Sequence, residues 1–260
     1  MPGWKPDYFK HTAGMVETAE LPGRIRVVRV RDCEVPCAPF LPFMGAEEPV
    51  EPVKARHKRS VFYCKTGGEG YYLKKYSYRG TRRHYAFLRG FIWTIPLALR
   101  QFHKMLYLRE CGAPVVEPVM AVVRRYGMLK QESLLVMREC RGVLLKRFLK
   151  ENGDFGLRLK VMARTFSFLR ILHSNRIHHG DMTKHNFIVT PEGELRAFDL
   201  DERKTKWLGQ VGNRRELKKW VGKSVKMLGL NEGDNPSQRR ERFRQALAEN
   251  YPEAVKYLDR

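Results

Sequence analysis

Acidic residues are scarce in this chain: 28 Asp and Glu stand against 50 Lys and Arg, a formal net charge of +22 over 260 residues. That imbalance excludes nothing about fold, but it predicts an anionic partner: a membrane surface, a nucleic acid or a phosphorylated substrate. Cysteine is sparse and odd in number. Cys33, Cys37, Cys64, Cys111 and Cys140 form no paired framework, and Cys33-x3-Cys37 has no second pair to complete a zinc site. Reduced cytosolic thiols are therefore expected in place of disulfides or a metal centre. Long apolar runs are missing too. The longest, Gly90 to Leu99, is about ten residues, too short to span a bilayer. With no signal peptide at its start, the chain is expected to be soluble or peripheral. There is no GxGxxG loop, and no Ala-Pro-Glu element follows Asp201. Apolar residues are still numerous enough to fill one large domain or two small lobes.

What is present is a compact motif: His178-His179-Gly180-Asp181-Met182-Thr183-Lys184-His185-Asn186, followed by Asp199-Leu200-Asp201. An Asp and an Asn five residues apart, with a second Asp about a dozen residues later, is the spacing by which kinase-like enzymes build a phosphoryl-transfer site. The first Asp orients the acceptor hydroxyl and takes its proton, while the Asn and the later Asp hold magnesium. Asp181 is thus the candidate base, and Asn186 and Asp199 are the candidate metal ligands. The intervening residues fit that geometry. Phe187 to Thr190 reads as a strand, Pro191-Glu192-Gly193 as a tight turn, and Leu195 to Phe198 as the return strand that delivers Asp199 beside Asn186.

Upstream, Ile25, Val27 and Val30 among arginines suggest a strand, and residues 46–52 look like a linker; residues 1–55 receive no chemistry. Val61 to Cys64 and Tyr71 to Lys74 are β-rich runs joined by Thr66-Gly67-Gly68-Glu69-Gly70, a hairpin signal. A lysine closing the second strand of such a hairpin is where kinases grip the α- and β-phosphates, which nominates Lys74; strand alternation turns Lys75 to the other face. Covering of the phosphates would fall to a loop around Lys58-Arg59-Ser60. Pro96 to Cys111 reads as a helix stopped by Gly112 and Pro114. Leu134 to Met137 reads as a buried strand leading into Arg138 to Gly142, a link whose backbone could serve adenine. Leu157 to Ser174 is the strongest helix, with Leu159, Met162, Phe166, Leu169 and His173 on one stripe. His173 reads as a core histidine, and His178 and His179 as braces of the loop backbone.

At these residues the sequence resembles the lipopolysaccharide kinase family, which phosphorylates heptose or 3-deoxy-manno-octulosonic acid (Kdo) in the inner core. Four segments carry the resemblance: Tyr71 to Tyr76, the Gly112-Ala113-Pro114 turn with Pro118, Glu132 to Met137, and the block ending in Asp201. It covers roughly residues 58 to 230 and implies an α+β, bilobal, protein-kinase-like fold. On this reading 56–137 is the nucleotide-binding N-lobe, and 138–260 is a mainly helical, truncated C-lobe that carries catalysis and acceptor binding. The resemblance also implies ATP with Mg2+, an anionic glycolipid acceptor (lipid A–core), and a cytoplasmic enzyme peripheral on the inner membrane's cytoplasmic face. Asp181 would be the base, Asn186 and Asp199 the metal ligands, and Lys74 the phosphate lysine.

Two departures stand out. The acidic partner expected for the phosphate lysine is replaced by Gln101, so its amide oxygen substitutes, Glu110 serves instead, or the lysine is positioned differently. Thr183 occupies the place where protein kinases carry a lysine, with Lys184 one further on. Gly180 replaces an arginine that in protein kinases receives an activation-loop phosphate, and few residues remain after Asp201 for a protein-substrate platform; a small hydroxyl acceptor is expected. Two other functions compete: an atypical kinase associated with tRNA modification or ribosome assembly, using the charge to bind RNA, and a non-catalytic kinase-fold binding module. Basic residues cluster at Arg82-Arg83, Arg89 and Arg100 around Phe91-Ile92-Trp93, a mixture suited to an anionic lipid surface or to a helix entry packing its aromatics inward. They cluster again at Arg214-Arg215 and Lys218-Lys219, on a helix whose Leu217, Trp220, Val221 and Leu228 face inward; that run reads as solvated charge.

Overall fold

The computed structural model describes residues 8–45, 51–56, 59–77, 95–126, 130–180, 182–200, 209–232 and 235–258. The chain is α+β and divides into two compact units. One comprises Met1–Tyr107 with Val116–Glu139, the other Leu108–Val115 with Cys140–Arg260.

The first unit is built on one antiparallel sheet. Its strands are β1 (Val16–Leu21), β2 (Ile25–Val30), β3 (Lys54–Arg56), β4 (Arg59–Thr66), β5 (Glu69–Tyr76), β6 (Pro118–Tyr126) and β7 (Lys130–Arg138), in the spatial order β1-β2-β6-β7-β5-β4-β3. The residues before 55, to which the sequence assigns no chemistry, therefore supply two strands of this sheet. The β4–β5 hairpin closes on just Gly67 and Gly68, at φ of 60° and 81°. A two-residue turn with both φ positive matches the twist of its strands and favours glycine at both positions. It also lets the pairing run the full length, from Thr66↔Glu69 to Arg59↔Tyr76. Arg59 and Ser60 are consequently strand residues, which corrects the expectation of a phosphate-covering loop there; Lys58 lies outside the described residues.

Side chains of β5 alternate between two faces. Tyr71 and Leu73 enter an apolar cluster with Phe62, Val119, Met120, Val122, Leu134 and Val136, capped by the 3₁₀ segment Ala38–Met44 through Phe40, Phe43 and Met44. Lys75 shares that face and donates to the Gly45 carbonyl at 2.8 Å. Tyr72, Lys74 and Tyr76 take the opposite face by alternation. There the Tyr76 hydroxyl reaches helix α1 (Leu97–Glu110), whose first-turn Ala98 N–H donates to Ser133 Oγ at 3.4 Å. Central strands covered on both faces explain why β6 and β7 are buried along most of their length.

The second unit is mainly helical, with α2 (Leu145–Glu151), α3 (Phe155–Ser174), α4 (Gly209–Leu228) and α5 (Pro236–Asn250). A three-stranded sheet, β8 (Val143–Leu144), β9 (Phe187–Val189) and β10 (Leu195–Ala197), runs in the order β10-β9-β8. Asp154 caps α3 by accepting from Gly156 N at 2.7 Å and Leu157 N at 3.3 Å. Every member of the expected α3 stripe is buried, and Val161, Thr165, Phe168 and Leu172 are buried as well, so α3 is a central helix with no fully solvated side in its middle. Trp220 of α4 donates to Thr165 Oγ at 2.8 Å, and Phe243 of α5 meets Phe166 edge-on at 5.9 Å. Among the described residues no helix is long and apolar enough to cross a membrane. The basic cluster at Arg82, Arg83 and Arg89, with Phe91 to Trp93, lies outside the described residues.

Gly142 sits where the chain enters β8, at φ 148°, and a Cβ there would stand 2.3 Å from the Val189 carbonyl oxygen. That oxygen belongs to β9 and cannot withdraw without breaking the sheet. Gly142→Ala should therefore cost about 1–3 kcal/mol, read as a lowered melting temperature, whereas Gly153→Ala, with nothing within 4 Å, should melt close to the parent.

Candidate active site

The segment from Ile177 to Asn186 has no regular structure of its own and is held by contacts from three helices. Glu216, about two turns into α4, points into the loop. Its Oε1 accepts from Gly180 N at 2.9 Å and its Oε2 from His179 N at 3.3 Å. The same carboxylate bonds His173 at the end of α3, Nε2 to Oε2 at 3.0 Å, while His173 Nδ1 faces the Tyr251 hydroxyl at 2.8 Å. The two ring nitrogens of His173 thus bridge the Glu216 carboxylate and the Tyr251 hydroxyl. Burial pushes the Tyr251 phenol up to about 12, so it remains a neutral donor. Burial also works against the charged Glu216, but the His173 hydrogen bond, the nearby His179 and His173 rings and the Gly180 N–H outweigh it and hold the carboxyl below its ordinary range.

Further along, Lys223 of α4 donates to the Met182 carbonyl at 2.9 Å, Lys146 N of α2 to the Lys184 carbonyl at 3.2 Å, and Asn186 N to Thr183 O at 3.1 Å. Gly180 adopts φ 79°. Its identity thus answers a backbone demand as well as the absence of a phosphate-receiving side chain. His173 is a hydrogen-bonded core residue, as its place on the α3 stripe indicates. For His179 the picture changes: its ring is fully buried against Phe168 and Phe187, and the bracing passes through its backbone N–H to Glu216.

Asn186 and Asp199 are brought together. Phe187 pairs with Ala197 across the β9–β10 hairpin, and one step beyond, Phe198 N donates to the Asn186 carbonyl at 3.2 Å. The hairpin turn is clamped to α3 by Arg164, which bonds the Gly193 carbonyl and pairs with Glu194 at 3.0 Å. The return strand is fixed from its other edge by the Gly112-Ala113-Pro114 turn, whose Pro114 carbonyl accepts from Ala197 N at 2.8 Å. Asn186 is buried at 8 % exposure and Asp199 is half-buried. An amide oxygen and a carboxylate are hard oxygen donors of the kind Mg2+ takes. The donor set fits magnesium. Asp181 itself lies outside the described residues, between two segments that are both tethered.

Lys74 belongs to the first unit. It is buried, and its Nζ lies 5.6 Å from the centroid of the Tyr76 ring. The Tyr76 hydroxyl donates to Gln101 Oε1 at 2.6 Å. The amide oxygen that stands in the place of the expected acidic partner thus accepts from a phenol whose ring lies beside Lys74. Glu110 is exposed in the last turn of the same helix.

The lipopolysaccharide kinase (Kdo/WaaP) family matches residues 47–240, about three quarters of the chain. The chain belongs to that family. Among curated proteins it is similar to the 3-deoxy-D-manno-octulosonic acid kinase of Vibrio cholerae serotype O1, at 24% identity over 143 residues, covering 54% of this chain and 59% of that one. It is also similar to the protein of the same name from Vibrio vulnificus, at 24% identity over 110 residues, 42% of this chain and 45% of the relative. The chain thus spans about half the length of the curated relatives it matches.

Glu216, Lys223 and Tyr251 were not legible as site residues. One signal was present for Glu216: it is the single acid in a helix with six cations, Gly209–Leu228. Glu216→Ala would leave two backbone N–H groups and the His173 N–H without their acceptor and should cost about 3 kcal/mol, measured by denaturant unfolding. The pH dependence has a definite sign. A carboxyl held below its ordinary value of 4.5 contributes stability above that value and loses it as pH falls through the lowered one. Glu216→Gln should therefore flatten the acid limb of the stability curve below about pH 4.5 while being less stable than the parent near neutrality.

Proposed function

We propose that this chain is an ATP-dependent kinase that phosphorylates a sugar hydroxyl, of Kdo or heptose, in the lipopolysaccharide inner core. The observation that supports the reading is the β9–β10 hairpin, whose backbone bond from Phe198 N to the Asn186 carbonyl returns the chain just before Asp199 alongside Asn186, after a loop tethered on both sides of Asp181. The family membership and the Kdo kinases among the relatives support the acceptor class. The tRNA-associated kinase and the non-catalytic module have no comparable support.

Asp181 is assigned the acceptor hydroxyl. Its carboxylate orients the hydroxyl and accepts the proton as the sugar oxygen bonds to the γ-phosphorus and the bond to the β–γ bridging oxygen breaks, releasing ADP. Asn186 and Asp199 are assigned the metal. These two oxygen donors would hold magnesium, whose charge would offset the negative charge that develops during transfer. Lys74 is assigned the α- and β-phosphates. Its place beside an aromatic face, on a rigid central strand, fixes the ammonium's direction and leaves it few rotamers to lose on binding. The acceptor's phosphates and carboxylates match the excess of basic residues, which supports a peripheral position at an anionic membrane surface.

ATP consumption measured with extracted lipid A–core, deacylated core and tRNA as alternative acceptors tests the reading. Turnover with either core preparation and none with tRNA is expected; turnover only with tRNA would favour the tRNA-modification kinase. Asp181→Asn should lower turnover by roughly 10²–10⁴-fold while nucleotide binding persists, and near-parental turnover would remove Asp181 from the base role. Asp199→Ala should abolish the magnesium dependence of nucleotide binding, with Asn186→Ala weakening it less, because a neutral amide is the poorer ligand. Magnesium titrations indistinguishable from the parent would place the metal elsewhere.

A further inference from the structure

Helix α4 is divided lengthwise into two halves of opposite character. Leu217, Trp220, Val221, Ser224 and Leu228 are buried. Arg214, Arg215, Lys218, Lys219, Lys223 and Lys226 are all exposed. At 100° per residue these six cations fall within one half of the helical circumference, over a length of about 18 Å. Between Arg214 and Lys226 two uncharged residues share that half: Gly222, exposed, where a Cβ would meet nothing within 4 Å, and the half-buried Val225. The helix's one carboxylate, Glu216, is turned away into the loop that leads to Asp181 and so does not neutralise the exposed half. A run that reads as solvated charge in sequence is thus a continuous cationic face in the structure.

We propose that this face of α4 is where the chain rests on an anionic lipid bilayer. Charge complementarity carries the choice of occupant. The face presents no exposed aromatic for stacking against bases, since Trp220 is buried. Four of its six cations are lysines, point charges without the bidentate fork that reads bases and single phosphates. It also carries no exposed large apolar residue, so attachment is adsorption to headgroups without insertion, and salt screens it fully. The position of the face gives it a purpose. The same helix holds the loop through Glu216 and through Lys223 to the Met182 carbonyl, so a surface under α4 lies at a fixed distance from the catalytic segment. The purpose rests on the kinase reading; the adsorption itself does not.

The test is co-sedimentation of the full chain with vesicles of phosphatidylcholine alone or mixed with phosphatidylglycerol. It is done for the parent, for the combined variant Arg215→Gln, Lys218→Gln, Lys219→Gln, Lys226→Gln, and for Asp181→Asn. The parent should bind only the anionic vesicles and release them between low and physiological salt. The four substitutions should weaken that binding at least about tenfold with the parent's melting temperature, and the charge-conserving Lys218→Arg, Lys219→Arg, Lys226→Arg should retain it. Asp181→Asn should partition like the parent even where it lacks turnover, which separates this proposal from the catalytic one. Parental vesicle binding by the four-residue variant, or parental binding that survives high salt, would overturn the proposal. So would tight tRNA binding abolished by the same substitutions while anionic vesicles are ignored; that outcome would make the face a nucleic-acid surface.

Discussion

The second unit's candidate chemistry depends on one largely buried carboxylate. A loop without regular structure can hold a side chain in place only if its backbone groups have fixed partners, and here Glu216 accepts from two consecutive N–H groups and a histidine. Its position is set in turn by the apolar half of α4. Trp220 packs on Phe187 with ring centroids 6.2 Å apart and bonds Thr165, and the Met227 carbonyl accepts from Arg158. The order of dependence therefore runs from the packing of α3 against α4, to Glu216, to the loop, and only then to the residues that face a substrate. A carboxylate is suited to that task because it offers several acceptor sites in one plane and, once hydrogen-bonded, stays ionised in spite of its burial.

The hairpin solves a different problem. Asn186 and Asp199 are separated by a strand, a turn and a strand, and their proximity needs the register Phe187↔Ala197 to hold. Three independent contacts guard it: Arg164 on the turn, the Pro114 carbonyl on the outer edge, and β8 on the inner edge, where Leu144 pairs with Ile188. A slip of one residue would turn Phe187 and Val189, both buried, toward the other face. The apolar core thereby enforces the register on which the polar ligands rely.

Much of this was legible in the sequence, for identifiable reasons. The β4–β5 hairpin and the β9–β10 hairpin announce themselves through glycine turns between β-rich runs, and α3 through its apolar spacing. The α+β class and the family followed from the same segments. What escaped was non-local. Glu216 lies some thirty residues beyond the loop it holds, and nothing in a helix of alternating Arg, Lys and apolar residues says which way a lone Glu will turn. Tyr76 was visible only as a strand residue, and its bond to Gln101 needed the approach of α1. The Lys58-Arg59-Ser60 loop was misread because the pairing of a hairpin extends as far as its partner strand allows, here to Tyr76, and not merely as far as its β-branched run. The sorting of the basic run on α4 into a single face likewise depends on which side the core covers.

The 3₁₀ segment Ala38–Met44 carries a consequence for anyone shortening the chain. The family match starts at residue 47, yet Phe40, Phe43 and Met44 are buried against Phe62, Leu73, Met120 and Val136, and Lys75 takes its carbonyl partner from Gly45. A fragment trimmed to the family boundary would strip the lid from one side of the sheet, baring a contiguous aliphatic and aromatic surface and leaving a buried ammonium without its acceptor. Such a fragment would retain every residue assigned to chemistry and still aggregate. The family match begins inside the packed first unit, downstream of β1, β2 and this cap.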